Sequence, residues 1–342
     1  MCKRAGGSHA HGFCVAGSSP RWRWVWPLAA AAAAWSLSAG VAHAAWPDRP
    51  VTLVVPYPPG GPTDIVARVV AQGLGDALKQ TVIVDNRAGA GGNIGADMVA
   101  KSAPDGYTLL IATTAHAINM SLFTNLTYDT RKSFAPVSLL TSGPLAVVTR
   151  PDLPATDIAS LIALAKSQPG KMTYGSSGNG QSTHLSAAMF NVMAGTTMVH
   201  VPYRGSAPAL TDVMGGQTDI MFDTMLSSMP YVKGGKLKLL ATTGRARSAA
   251  APDTPTVAEA GLPGYEATAW NGLVAPAGTP EAVLTQLSAA LKTVLAKPDV
   301  QEKFAAQGFA AQWMAPATFG AFVNDEIDKW ATVVKTSGAT VN

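Results

Sequence analysis

Two stretches of this chain combine residue types suited to holding an anion. Tyr57-Pro-Pro-Gly-Gly-Pro-Thr-Asp64 follows the apolar run 51–55 and precedes a segment with helical periodicity. A buried strand is expected to turn sharply at Gly60 and Gly61 into a helix that begins near Pro62. N–H groups at a helix start lack intrahelical acceptors and the helix dipole favours negative charge there, so a carboxylate or phosphate settles without needing an arginine. Gly60, Gly61 and the N–H and hydroxyl of Thr63 are the candidate donors, although glycine also serves a turn needed only for folding. Asp64 suits a favourable first-turn charge better than a ligand contact. Gly175-Ser-Ser-Gly-Asn-Gly180 repeats the pattern ahead of a second helix over 181–194, making Ser176, Ser177, Gly178 and Gly180 a second set of donors.

Other candidates stand at strand ends. Thr113, Thr114 and His116 close the strand 107–112 at its carboxyl edge, where open α/β sheets bind ligands. Tyr203 and Arg204 follow the strand 198–201 and are placed to close over a ligand, with a surface ion pair as the plainer role for Arg204. A buried Asp223 repels a second acid group unless paired and suits a ligand ammonium.

Other chemistries lack their residues. Gly89-Ala-Gly-Gly-Asn-Ile-Gly95 resembles a dinucleotide fingerprint, but Ile94 stands where its third glycine belongs and the loop follows the second strand. Asn179 replaces the second glycine of a nucleophile elbow around Ser177, leaving a hydrolase using Ser177 and His184 as the alternative from another class. The phosphate loop GxxxxGK[ST] is absent. His116, His184 and His200 share no metal-ligand spacing, so neither a metal nor a cofactor is expected.

The elements that must position these residues begin after an address. Lys3, Arg4, Arg21 and Arg23 precede an apolar run over 27–41, and Ala42-His-Ala44 offers small residues at the positions a signal peptidase reads. Residues 1–44 therefore read as a cleaved signal peptide; the run is shorter than the roughly 20 apolar residues of a spanning helix. Of 25 basic and 21 acidic residues, four basic and no acidic ones lie in 1–44, which leaves 21 against 21 and no basic excess for nucleic acid. Cys2 and Cys14 leave with the leader, so the mature chain has no disulfide and depends on its core. From 51 onward strands and helices alternate as β-α-β-α-β and then repeat that grammar from 157, implying two α/β lobes with parallel sheets and a ligand cleft between them.

Several blocks in order then resemble one family, the periplasmic substrate-binding proteins of tripartite tricarboxylate transporters, also called Bug receptors. They are the loop 57–64, Asp85-Asn-Arg-Ala-Gly-Ala-Gly-Gly-Asn-Ile-Gly95, Pro104-Asp-Gly-Tyr-Thr-Leu-Leu110, and Tyr174-Gly-Ser-Ser-Gly-Asn-Gly180 with Thr183-His-Leu185. Val201-Pro-Tyr-Arg-Gly-Ser-Ala-Pro-Ala-Leu210, Gly215-Gly-Gln-Thr-Asp-Ile-Met-Phe-Asp223 and Trp270-Asn-Gly-Leu-Val-Ala-Pro-Ala-Gly-Thr-Pro280 complete them. Thr224 and Asp85 depart from an asparagine and a glutamate frequent in the family. The resemblance implies a two-lobed type II periplasmic binding protein of Venus-flytrap form with two crossover strands, near 142–144 and 268–270. It implies lobes at 45–142 plus 270–342 and at 143–269, and adds Tyr57, Pro59, Asn93, Thr183 and His184 to the ligand loops. It further implies a monomer that delivers a small carboxylate to membrane permease subunits and performs no chemistry on it.

Overall fold

The computed structural model describes residues 46–341, so the expected leader 1–44 lies outside the described residues. Strand β1 (Val51–Val55) leads into helix α1 (Pro62–Leu78), and β2 (Val82–Asn86) into a short 3-10 turn and α2 (Asn93–Ala100). β3 (Thr108–Thr113) runs directly into α3 (Thr114–Leu122). β1 pairs in parallel with both β2 and β3, the crossover pattern that short β-α-β connections dictate.

Strand β4 (Phe134–Thr149) is 16 residues long and belongs to two sheets. Its first part, from Phe134 to Pro144, pairs antiparallel with β9 (Thr268–Pro276), which also pairs with β3; β10 (Ala310–Ala311) pairs at Thr141 and Ser142. From Leu145 onward β4 is flanked by β7 (Ile220–Thr224) and, from Ala146, by β8 (Lys238–Thr242). β5 (Thr173–Ser176) joins β7 in parallel and β6 (Val199–Pro202) joins β5. The change of partners at Pro144/Leu145 is locked by Thr243. Its hydroxyl accepts from Leu145 N–H at 2.7 Å and donates to Ala267 C=O at 2.5 Å, while its N–H and C=O bond Leu145 and Ala267.

The period-2 alternation of each strand sorts side chains onto two faces. Val51, Leu53 and Val55, with Leu109 and Ile111, pack on α1, α8 (Glu281–Leu295) and α9 (Pro298–Ala305). Val54 and Leu110 face α2, α3 and α10 (Pro316–Ser337). In the second sheet Ala146 and Val148 pack on α6 (Ser206–Met214) and α7 (Met225–Lys233), whereas Leu145 and Val147 face α4 (Ile158–Ser167) and α5 (Ser182–Ala194). α10 packs on both α3 and α5, so one apolar cluster runs through both halves of the molecule.

The buried Glu326 of α10 joins that helix to β9. Its Oε2 accepts from the indole N–H groups of Trp270 at 2.9 Å and Trp330 at 3.0 Å, and Lys329 pairs with Oε1. Phe319 and Phe322 meet the Trp270 ring edge-on, at 6.1 and 5.6 Å between centroids. Trp270 therefore has its backbone in the return strand and its ring fixed to α10. Removing the carboxylate by Glu326→Ala leaves two buried donors without acceptors, at roughly 1–3 kcal/mol each. Urea unfolding is expected to show a loss of about 2–4 kcal/mol for Glu326→Ala and a clearly smaller one for Glu326→Gln, which keeps an acceptor. Equal losses for the two variants would remove these bonds from the account.

Candidate functional site

The two anion-suited helix starts arise as the residue types require. Gly61 is the N-cap of α1, with Pro62 in the first turn and no side-chain cap. Gln181 plays that part for α5, again without a side-chain cap. The first-turn N–H groups of Thr63 in α1 and of Ser182 and Thr183 in α5 thus lie outside their helices' own ladders.

Hydroxyl pairs stand beside each start. In the first lobe the half-buried Tyr57 hydroxyl and Thr113 Oγ1 are 2.8 Å apart. Burial pushes the Tyr57 hydroxyl up to about 12, against the opposing pull of Thr113 and of Gln181 from the other lobe. Thr113 caps α3, and its N–H donates to His116 Nδ1 at 2.9 Å. In the second lobe Ser177 and Thr183 pair at 2.8 Å through their hydroxyls, and Ser177 N–H donates to Thr183 Oγ1 at 3.0 Å.

Several expected contacts are internal joints instead. Asp64 accepts from Gly60 N–H, from both Nε and Nη2 of Arg68 and from Asn86, so the carboxylate and the Gly60 donor hold the first loop together. Burial alone would raise its pKa; the bonds from Arg68, Gly60 and Asn86 outweigh it and hold the group below its ordinary value. Ser176 is fully buried and its Oγ lies 2.6 Å from His200 Nε2. The Gly178 and Gly180 N–H groups donate to Ser176 Oγ and His184 Nδ1. Thr114 Oγ1 accepts from Trp270 N–H, tying α3 to the return strand, and the Tyr203 hydroxyl donates to Asp212 at 2.7 Å. Pro59 is exposed in its turn, and exposed Arg204 takes part in no ion pair among the described residues.

Asp223 departs furthest from its expected role as an ammonium partner. It is fully buried at the end of β7, accepting from Ser206 Oγ at 2.5 Å and Ser228 Oγ at 2.9 Å, and so ties α6 and α7 to the strand. The Ser177/His184 hydrolase arrangement is likewise not formed. Ser177 is held by Thr183, and the His184 ring lies flat on His200 with 3.8 Å between centroids, with no carboxylate bonded to either ring among the described residues. Burial lowers His184 to about 3, with His200 adding to the effect, and lowers His200 and His116 to about 4. All three rings are therefore neutral at neutral pH.

Three contributors escaped the sequence reading. Asn119 donates to Asn93 Oδ1 at 2.7 Å, and Tyr128 donates to the same atom at 2.8 Å, so Asn93 is the hub of a buried amide cluster. Gln181, the N-cap of α5, lies near enough to Tyr57 to act on its hydroxyl. Asn119 and Tyr128 sit on no Gly-rich loop, and only Gln181, beside the second loop, carried a positional signal.

Two lobes joined by paired crossover strands define a type II periplasmic binding protein. Residues 66–339 match the family described as "Tripartite tricarboxylate transporter family receptor". The chain belongs to that family, whose members are substrate-binding receptors. It is 38% identical over 305 residues to "Protein BugT" of Bordetella pertussis, covering 89% of this chain and 94% of that one. A structure described as a periplasmic transporter is 39% identical, with a TM-score of 0.78, over 87% of this chain and 100% of the other. An R. palustris protein solved with adipate has 37% identity and a TM-score of 0.79, over 86% and 99%. MatC from Rhodopseudomonas palustris, solved with malate, has 35% identity and a TM-score of 0.76, over 84% and 100%.

Two expectations follow. Burial pushes Asp223 up to about 6 from 3.8, against the bonds from Ser206, Ser228 and Thr224 N–H. Between those values the folded protein holds a proton the unfolded chain has released. This contribution therefore weakens stability as pH rises through the window and is constant above about 6, by up to ~3 kcal/mol. Asp223→Asn is expected to remove that part of the pH dependence in urea melts, and a variant with the wild-type slope would exclude the assignment. The second concerns Gly180, where an added Cβ would stand 2.8 Å from Leu122 and 3.1 Å from Asn119 of the other lobe, at φ +76°. At Gly61 the nearest atom would be 3.8 Å away, with φ −79°. Gly180→Ala should lower both the melting temperature and the approach of the lobes measured by small-angle scattering, and Gly61→Ala neither; a Gly180→Ala protein as compact as wild type would contradict this.

Proposed function

We propose that this protein is a periplasmic solute receptor that encloses a small organic carboxylate between its lobes and presents it to the permease subunits of a tripartite tricarboxylate-type transporter. One observation carries the reading: two helix starts without side-chain caps, one from each lobe, each flanked by a pair of hydroxyls, with Gln181 of one side acting on Tyr57 of the other. An anion between them gains first-turn N–H groups and the ends of two helix dipoles in a site that excludes water. The adipate and malate of the related structures are carboxylates of this kind.

In this reading Tyr57, Thr63, Thr113, Ser177 and Thr183 meet the ligand. Asp64, Asn93, His116, Ser176, His184 and Asp223 hold the loops that carry them. With Asp223 closed off by two serines, the ligand is an acid without an ammonium group. Residues 1–44 are the export signal, removed after Ala44, and the mature chain acts as a monomer. One lobe comprises 45–142 and 270–342 and the other 143–269, and they hinge where β4 changes partners and Thr243 links Leu145 to Ala267.

Calorimetric titration with mono-, di- and tricarboxylates and with acidic amino acids tests this. A carboxylate without an ammonium group is expected to bind with micromolar affinity or better. Thr183→Val should weaken it at least about tenfold by unpairing Ser177 and removing a hydroxyl from the helix start, whereas Arg204→Ala should change it less. Binding restricted to amino acids, or ester turnover abolished by Ser177→Ala, would overturn the reading.

A further inference from the structure

The first lobe contains a pocket that none of the loops 57–63 or 176–183 lines. It is a cavity of about 190 Å³ between the sheet and α10. Leu110, Phe134, Val274 and Val323 form apolar walls, and Trp270 and His116, each 1% exposed, mark its buried end. Arg131 and Asn324 stand exposed at its mouth. We propose that this cavity is a separate binding site for a small acid with an apolar body, such as an aromatic or short-chain monocarboxylate.

Three features of the pocket select that class. A dry apolar cavity of about 150 Å³ is enough to take up a benzene ring, so this one accommodates a single ring or a short aliphatic chain. His116 is held neutral by burial, which leaves the interior without charge and excludes an ionic group there. At the mouth, Arg131 carries the one cationic group of the lining, and its guanidinium has five donors in a planar fork. One of these donors, on Nη2, bonds Asp328 at 2.6 Å. The Asp328 side chain is 72% exposed, and an exposed pair of this kind contributes little, so the rest of the fork remains for a ligand carboxylate while the body enters the apolar interior. Asp328 and Asp129, whose carboxylate accepts from the Arg131 backbone N–H, oppose that carboxylate. The site also adjoins the hinge and the cleft, because Trp270 lies in the return strand and His116 accepts from Thr113, whose hydroxyl pairs with Tyr57.

Benzoate and its uncharged analogue benzyl alcohol are suitable probes, followed by methyl NMR of the folded protein. Benzoate is expected to bind saturably and to shift the methyl signals of Val274 and Val323. Arg131→Gln, an exposed change that leaves the core untouched, should weaken it roughly tenfold without affecting benzyl alcohol. Asp328→Asn should strengthen benzoate by freeing the fork, and Val323→Phe should abolish both probes by filling the cavity. Shifts confined to the loops 57–63 and 176–183, absence of saturable binding, or benzoate binding unchanged in both Arg131→Gln and Asp328→Asn would each overturn the proposal. Benzoate also belongs to the ligand class proposed for the cleft, so the contrast with uncharged benzyl alcohol and the Val323→Phe variant, neither of which involves the cleft loops, is what separates the two sites. Failure here leaves the carboxylate-receptor reading standing.

Discussion

Everything in this molecule is arranged about one strand that serves two sheets. β4 pairs with β9 as far as Pro144 and with β7 and β8 beyond it, and a strand can change partners only where its backbone groups find new acceptors and donors at once. Thr243 meets that condition by bonding Leu145 through backbone and hydroxyl together and returning the chain to Ala267, immediately before β9. The two halves are thereby joined by backbone hydrogen bonds instead of a loose linker.

α10 adds a second connection of a different kind. Its apolar face lies on α3 and α5, and its buried Glu326 holds the Trp270 ring against the first lobe. Side-chain packing tolerates sliding better than a backbone ladder does, so the two connections differ in stiffness. The apolar pocket lies beneath the same helix, next to both connections.

The electrostatics of the site follow from where the charges went. The carboxylates closest to the expected ligand loops, Asp64 and Asp223, are saturated by neighbours of their own lobe, and burial keeps the histidines neutral. On the proposed function, an anion entering between the lobes meets oriented dipoles and hydroxyls that need no reorganisation of charge. Neutral donors of this kind discriminate by shape and hydrogen-bond geometry, in keeping with a family whose members bind different acids on one framework.

Much of this architecture was readable in the sequence because it rests on local rules. Continuous apolar runs marked β1 and β3 as buried strands, Gly/Pro clusters marked the two turns, and the alternation of strand and helix defined an α/β class from residues close together in the chain. Two asparagines and a tyrosine from α2, α3 and the segment after it meet in one cluster, and nothing in their local sequence announces that. The length of β4, its change of partners and the pairing of Ser176 with His200 also depend on segments brought together by folding. Residue type and spacing determined which groups can bind an anion. Only the tertiary structure decided which of them are free to do so, because a donor or carboxylate is available to a ligand only if no neighbour in the folded protein has already satisfied it, and those neighbours stand as far as 35 residues away for Asn93 and 98 for Leu145.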